Sequence, residues 1–286
     1  MSRRVIILGT GILGSCLNNI FYEIADTISL SRGDINLEWG IQRIQNKFES
    51  IHKEFGSTVT VINAAAYTNV DGAESNQDIA MIINAGGPYK LAHLCKEFGW
   101  KFIHISSDFV FDGNIRDGAY TEYDTPNPIN WYGYTKLMGE ETVKNSGCKY
   151  VIVRTGWVYN KSNGVVPLLI KAIKEFSEPV GATDQVITPT DAYSLSKQID
   201  IIDRNNVTGI FHATCQGYAR PVEVLKYLSG ICGSNKPIRG IGLYRLNRKA
   251  RRPGRCVLDN LNLRLLGIDV MPDWKESAYA CSLDKM

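Results

Sequence analysis

Short aliphatic and β-branched runs alternate with amphipathic segments through the first half of the chain, and a glycine-rich turn directly follows the first run. From Trp157 the alternation loosens, and beyond Gly233 the chain is rich in Gly, Pro and Arg. These observations predict an α/β fold: a Rossmann-type doubly wound parallel sheet with a smaller C-terminal substrate-binding lobe. Parallel strands read as continuous apolar runs because crossover helices bury both faces of the sheet.

The elements follow in order. Residues 5–8 form the first strand, 12–24 the first helix and 27–30 the second strand. Over 40–55, Ile41, Ile44, Phe48, Ile51 and Phe55 recur at helical spacing, which makes one apolar face. A β-branched strand covers 58–62, a long helix 80–98 ends near Gly99, and a strand spans 101–105. A helix over 131–145 stops at Ser146-Gly147 before a strand at 150–153. Residues 165–176 and 193–203 are helical, and 209–212 is a further strand. The helix 221–231 opens on Pro221, whose fixed φ and missing N–H suit a first helical turn. Residues 1–155 are read as the dinucleotide-binding domain, with 188–214 returning to it. Residues 156–187 and 215–286 are read as the substrate lobe.

Of the 286 residues, 44% are hydrophobic and 21% charged, which excludes disordered, collagen-like and coiled-coil chains. The 32 basic and 29 acidic residues leave +3, too little to argue for a nucleic-acid partner. No apolar run reaches the ~18 residues of a membrane span. The run 5–8 is short and no small-residue cleavage site follows, so a secretory leader is not expected. The 7 cysteines are widely spaced and lack Cys-x-x-Cys, and the 4 histidines are scattered. That pattern argues for free thiols in a reducing cytoplasm and against a disulfide framework or metal centre.

Gly9-Thr10-Gly11-Ile12-Leu13-Gly14 lies between the first strand and first helix. There Gly9 permits a tight turn, Gly11 lets the backbone approach a pyrophosphate, and Gly14 lets helix and strand pack closely. The helix N-terminus faces the anion. The next strand ends Leu30-Ser31-Arg32, with no carboxylate before Asp34. A hydroxyl and a guanidinium suit a 2′-phosphate, so NADPH is favoured, with NADH left open.

Tyr132 and Lys136 stand four residues apart, on one face of a helix. A phenol is a poor acid–base group at neutral pH, and a neighbouring cation favours its ionised form. The spacing alone is unspecific, since Tyr193 and Lys197 repeat it. Context separates the two pairs. Ser106-Ser107-Asp108 follows the strand 101–105, and ligands of parallel sheets bind beyond the carboxyl ends of strands. A Ser107 hydroxyl there can hydrogen-bond a carbonyl that Tyr132 protonates. Tyr193 and Lys197 have no such partner nearby and read as a surface face.

These residues carry a resemblance. The chain is similar to the extended short-chain dehydrogenases/reductases, and most of all to the dTDP-4-dehydrorhamnose reductase family. The likeness runs through Val61-Ile62-Asn63-Ala64-Ala65-Ala66-Tyr67-Thr68-Asn69-Val70-Asp71 and His104-Ile105-Ser106-Ser107-Asp108-Phe109-Val110-Phe111-Asp112-Gly113. It continues in Asn127-Pro128-Ile129-Asn130-Trp131-Tyr132-Gly133-Tyr134-Thr135-Lys136, Arg154-Thr155-Gly156-Trp157-Val158-Tyr159 and Arg252-Pro253-Gly254-Arg255. The resemblance implies that Tyr132 donates the proton, that Lys136 tunes it and holds the nicotinamide ribose, and that Ser107 stands at a usual threonine. It also implies that Gly11, Ile12 and Leu13 meet the pyrophosphate and Asn36-Leu37 the adenine. Ala65, Ala66, Tyr67, Asn84 and Ile105 would then line the cofactor groove. Ser107, Asp108 and Trp157 would contact a sugar nucleotide, and a homodimer is left open.

Three departures are visible. Gly9 and Gly11 are separated by one residue where the family has Gly-x-x-Gly, Phe109 replaces a usual tyrosine, and Gly156 replaces a usual serine. The magnesium-binding glutamates of some members have no counterpart after Thr190, so no metal is expected. Arg245, Arg248, Lys249, Arg251, Arg252 and Arg255 crowd one segment, and guanidinium forks suit a diphosphate, with Arg252 the leading candidate. The implied reaction is NAD(P)H-dependent reduction of the C4 keto group of a 4-keto-6-deoxy sugar nucleotide, dTDP-4-dehydro-L-rhamnose above others. The alternatives are reduction or epimerisation of another sugar nucleotide, or a non-catalytic NADP-binding subunit like that of methionine adenosyltransferase.

Overall fold

The computed structural model describes residues 3–56, 58–115 and 117–283, so the expected domain limits at 1–2 and 284–286 lie outside it. The first half contains β1 (Arg4–Leu8), α1 (Ile12–Ile24), β2 (Asp26–Leu30), α2 (Ile41–Phe55) and β3 (Val59–Asn63). The short helices α3 (Val70–Ala73) and α4 (Gln77–Met81) lead through a π turn at Ile82–Gly86 into α5 (Gly87–Phe98). Then come β4 (Lys101–Ser107), a 3-10 turn at Asp108–Val110, α6 (Trp131–Lys144) and β5 (Lys149–Thr155). The second half holds β6 (Val158–Tyr159), α7 (Val165–Glu175), β7 (Val180–Ala182), β8 (Thr190–Asp191), α8 (Ala192–Arg204) and β9 (Gly209–His212). It closes with α9 (Pro221–Ile231), β10 (Arg239–Ile241), a 3-10 turn at Leu243–Leu246, α10 (Leu261–Leu265) and α11 (Trp274–Leu283).

Six strands form one parallel sheet in the order β2-β1-β3-β4-β5-β9. The order reverses between β1 and β3, and a crevice opens beyond their carboxyl ends. Side chains alternate across the sheet. Val5 and Ile7 of β1 point into a core with Leu13, Leu17 and Phe21 of α1 and Leu195, Ile199 and Ile202 of α8. Ile6 and Leu8 point the other way, onto Ile44, Phe48 and Ile51 of α2 and Leu91 of α5. Each such fully buried side chain contributes about 1.5–3 kcal/mol. Two parallel two-stranded ribbons, β6-β8 and β7-β10, lie outside the main sheet.

Two expectations are corrected. The single helix predicted over 80–98 is interrupted at Ile82–Gly86. Pro88 lacks the N–H that would bond the Asn84 carbonyl in an α-helix, and the wider turn accommodates that missing rung. The C-terminal region, which the periodicity leaves irregular, carries α11. Its inward residues Trp274, Ala278 and Cys281 share one face, but two of them are small and the apolar stripe is faint. All 7 cysteines are free thiols. Among the described residues, no helix is long and apolar enough to cross a membrane.

Candidate active site

A cleft of about 1130 Å³ runs from the carboxyl ends of β1–β4 to α7, β7 and the 3-10 turn Leu243–Leu246. Its first wall is the glycine turn. Gly9 has φ 101°, and a Cβ added there would stand 2.8 Å from the Ala65 nitrogen. At Gly14 a Cβ would fall 1.9 Å from the Gly9 carbonyl oxygen, so only glycine lets α1 approach β1 this closely. Gly11 is different: a Cβ would meet nothing within 4 Å, and the residue lines the cleft. It is the N-cap of α1 without a side-chain cap, so its first N–H groups are left for an anion. These features fit a dinucleotide diphosphate.

Among the described residues, the tip of β2 presents no free carboxylate to the cleft. Asp34 accepts from the Ser31 backbone N–H at 2.9 Å and hydroxyl at 2.7 Å. Those bonds, the hydroxyl's first, hold its carboxyl below the usual range. Arg32 lines the cleft, exposed, and pairs with Glu38. Asn36 and Leu37 line the cleft beside it, as do Ile12, Leu13, Ala65, Ala66 and Ile105. Gly14, Tyr67 and Asn84 do not line the cleft. The Asn84 side chain accepts from the Tyr67 N–H at 2.8 Å and donates to the Tyr67 carbonyl at 3.1 Å and Thr135 hydroxyl at 3.0 Å. It clamps the loop after β3 to α6 and spends both of its amide hydrogens there.

At the centre, Ser107, Tyr132 and Lys136 converge on the cleft. Asn130 caps α6 by accepting from the Gly133 N–H at 2.8 Å, which sets Tyr132 in the first turn. The Ser107 hydroxyl accepts from the Phe109 N–H at 3.2 Å. Burial pushes the Tyr132 pKa up to about 12, opposed by the neighbouring Ser107 hydroxyl and reinforced by the charge of Asp108. The expected neighbouring-cation effect does not govern it. Lys136 instead donates to the Ile105 carbonyl at 2.7 Å, and burial lowers its pKa to about 8. The shared helical face was readable in the sequence, but that carbonyl was not.

Asp108 follows Ser107 and is 3% exposed. Its Oδ1 accepts from the Ser107 hydroxyl at 2.9 Å, while Oδ2 is buried without a partner. Burial raises its pKa to about 7. The carboxylate is turned toward Gly156, where a Cβ would stand 2.4 Å from Oδ2. Phe109 packs edge-on against Tyr132, with ring centroids 5.8 Å apart. Trp157 lines the cleft with φ 52°, a strained backbone for a bulky residue.

Of the basic cluster, Arg248 and Arg252 reach the cleft. Arg252 is held by both oxygens of Asp71, at 3.0 and 2.9 Å. Arg255 donates to the Gly118 carbonyl and lies over the Tyr218 ring, and Lys249 bonds Ser75. Tyr193 is 51% exposed with Lys197 over its ring, a surface pair. Sequence reasoning missed the far wall, Leu168, Leu169, Phe176, Leu243 and Leu246. Leu168 and Leu169 belong to an amphipathic stripe indistinguishable in sequence from a core-facing one.

Fold and cleft together define an oxidoreductase of the extended short-chain dehydrogenase/reductase class, with its Ser–Tyr–Lys set beyond a glycine turn. Residues 3–285 match the family model described as the RmlD substrate binding domain, and the chain belongs to that family. It is 31% identical to a dTDP-4-dehydrorhamnose reductase of Mycolicibacterium smegmatis, over 97% of this chain and 84% of that one. A dTDP-4-keto-6-deoxy-D-glucose reductase of Streptomyces niveus is 30% identical over 75% of each chain. The crystal structure of a dTDP-4-dehydrorhamnose reductase from Bacillus anthracis in complex with NADP superposes with a TM-score of 0.92. It is 31% identical and covers 99% of this chain and 100% of that one.

Proposed function

We propose that the chain reduces the C4 keto group of a 4-keto-6-deoxy sugar nucleotide with NADPH, converting dTDP-4-dehydro-L-rhamnose to dTDP-L-rhamnose. The observation that carries this reading is the convergence of Ser107, Tyr132 and Lys136 in the cleft that begins at the glycine turn. The glycine turn and Ala65–Ala66 hold the dinucleotide, Arg32 takes the 2′-phosphate in competition with Glu38, and Lys136 holds the nicotinamide ribose. When bound, NADPH supplies the hydride. Ser107 orients the ketone and Tyr132 gives its proton to the carbonyl oxygen, a role for which a pKa near 12 keeps the phenol protonated at rest. Trp157 offers a stiff apolar wall to the deoxysugar, and Arg248 and Arg252 offer forks to the diphosphate. In this reading residues 1–155 and 188–214 serve the cofactor, and 156–187 and 215–286 serve the sugar nucleotide.

The test is loss of NADPH absorbance with a panel of 4-keto sugar nucleotides. Tyr132→Phe is expected to lower kcat by about 10²–10⁴-fold. Near-normal turnover by that variant would sink the assignment, and no turnover by the wild type with any panel member would favour a non-catalytic subunit. Phe109 and Gly156 favour a second reading, in which the sugar differs from dehydrorhamnose at a group that a tyrosine or serine would contact. The panel decides between them by kcat/KM.

A further inference from the structure

The Asn130 side chain is 7% exposed and its amide is engaged at both ends. Its Oδ1 accepts from the Gly133 N–H at 2.8 Å and so caps the turn of α6 that carries Tyr132. Its Nδ2 donates to the Arg251 carbonyl at 2.9 Å, across 121 positions of sequence. Arg251 stands between Arg248 and Arg252, the two cluster arginines that line the cleft. Capping uses only the acceptor, so the donor serves something else.

The surroundings of this bond are fixed on every other side. Asp71 of α3 holds the Ala250 N–H at 2.9 Å and the Arg252 guanidinium at 3.0 and 2.9 Å, which anchors the arginine segment. Glu74, at the end of the same short helix, accepts from the Trp131 N–H at 2.9 Å. Gly133 rests on the Phe109 carbonyl, where a Cβ would stand 2.1 Å from the oxygen, so the turn has no room to move inward. Among the described residues, the bond from Asn130 to Arg251 is the hydrogen bond that joins the arginine segment to α6 directly.

Resting on the reductase reading above and its placement of the diphosphate, we propose that Asn130 is a positioning residue for Tyr132. A diphosphate seated at Arg248 and Arg252 steadies the 248–252 segment. Asn130 transmits that constraint to the first turn of α6, and so to the phenol. A proton donor must stand within about 3 Å of the oxygen it protonates, and an error of an ångström can cost about 10²-fold. Binding energy gathered at the remote diphosphate is in this way used at the reacting carbonyl. The effect belongs to the bound complex and appears in kcat. A weaker grip by one arginine, which saturating substrate overcomes, appears in KM.

The test uses Asn130→Ser and Asn130→Asp. Both residues cap a helix as well as asparagine does, but serine is too short to reach the Arg251 carbonyl and aspartate has no N–H to give it. Melting temperatures should stay within about 2 °C of the wild type. In both variants kcat is expected to fall by about 10–100-fold. Calorimetry should show Kd for dTDP changed by less than about threefold, because Asp71 still anchors the arginines. A wild-type kcat in both would mean that Asn130 is only a cap, and would overturn the proposal. A loss confined to Asn130→Asp would be an effect of its charge and would overturn it too.

Hydrogen exchange reads the coupling without any turnover, and so separately from the assignment of the reaction. In the wild type, dTDP should slow exchange by at least about threefold over 248–252 and also over 131–134. In both variants the first effect should persist and the second disappear. That pattern supports the positioning role even if no sugar of the panel is reduced. Slowing confined to 248–252 in the wild type overturns it, as does slowing over 131–134 that survives both substitutions. If dTDP slows neither stretch the proposal also fails, and the NADPH assay then decides the reductase reading on its own.

Discussion

Asp71 and Arg252 grip one another through both carboxylate oxygens, at 3.0 and 2.9 Å, across 181 positions of sequence. The pair ties α3 to the C-terminal segment, and the Ala250 N–H adds a third bond to Asp71 at 2.9 Å. It therefore aims the guanidinium that borders the cleft.

Arg252→Lys keeps the charge and loses the fork. KM for the sugar nucleotide is expected to rise by about 5–10-fold with kcat changed less than about twofold. Asp71→Asn should act in the same direction. Steady-state kinetics at fixed NADPH check both, and an unchanged KM would remove Arg252 from the diphosphate site.

Glu140 and Arg154 form an ion pair that is 0% and 1% exposed, with Nη2 2.7 Å from Oε2. The Ser106 hydroxyl donates to the same carboxylate at 2.5 Å. Glu140→Gln strands a buried guanidinium and is expected to cost about 3–5 kcal/mol. Urea unfolding measures this, and a loss below about 1 kcal/mol would show that the pair is replaceable.

His212 is fully buried, and its Nδ1 lies 3.1 Å from the carbonyls of Tyr120 and Asp259. Burial, aided by the charge of Arg154, drives its pKa down to about 3. The unfolded chain takes up this proton near pH 6.5 and the folded chain does not, so stability is intact above that pH and lost as pH falls toward 3. The share due to His212 is about 2 kcal/mol at pH 5. In His212→Gln the dependence of unfolding free energy on pH between 6.5 and 4 should be shallower; an identical slope would contradict this.

Two glycines of the first turn should behave oppositely. Gly14→Ala must shift α1 off β1, since its Cβ would meet the Gly9 carbonyl at 1.9 Å. It is expected to lose about 1–3 kcal/mol of stability. Gly11→Ala meets nothing within 4 Å and should melt like the wild type, yet bind NADPH at least about tenfold more weakly. Calorimetry and fluorescence titration of both variants check the contrast. Equal NADPH affinity in Gly11→Ala would show that the pyrophosphate does not approach that position.

Much of the architecture was legible because it is local. Ile44, Phe48, Ile51 and Phe55 recur at helical spacing and all are buried on one face of α2. The runs that form β1, β3 and β5 are apolar on both faces, as a covered parallel sheet requires. The π turn was not legible, since Ile79, Ala80 and Ile83 continue the helical pattern and only Pro88 marks the break. Asn84 shows the same limit at the site. The family resemblance put it on the cofactor wall, but its three side-chain hydrogen bonds turn it into a clamp that does not line the cleft.

By itself the sequence determined the alternation of strands and helices through the first half, the turn at Gly9–Gly14 and the common face of Tyr132 and Lys136. Periodicity and glycine placement report contacts within a few residues, and those features need no more. Tertiary structure alone decided that Lys136 meets the Ile105 carbonyl, that Asp108 fills the space left by Gly156, and that Asp71 aims Arg252. Each depends on segments brought together by the sheet, where burial sets the charge of a side chain and distances of a few ångströms choose its partner.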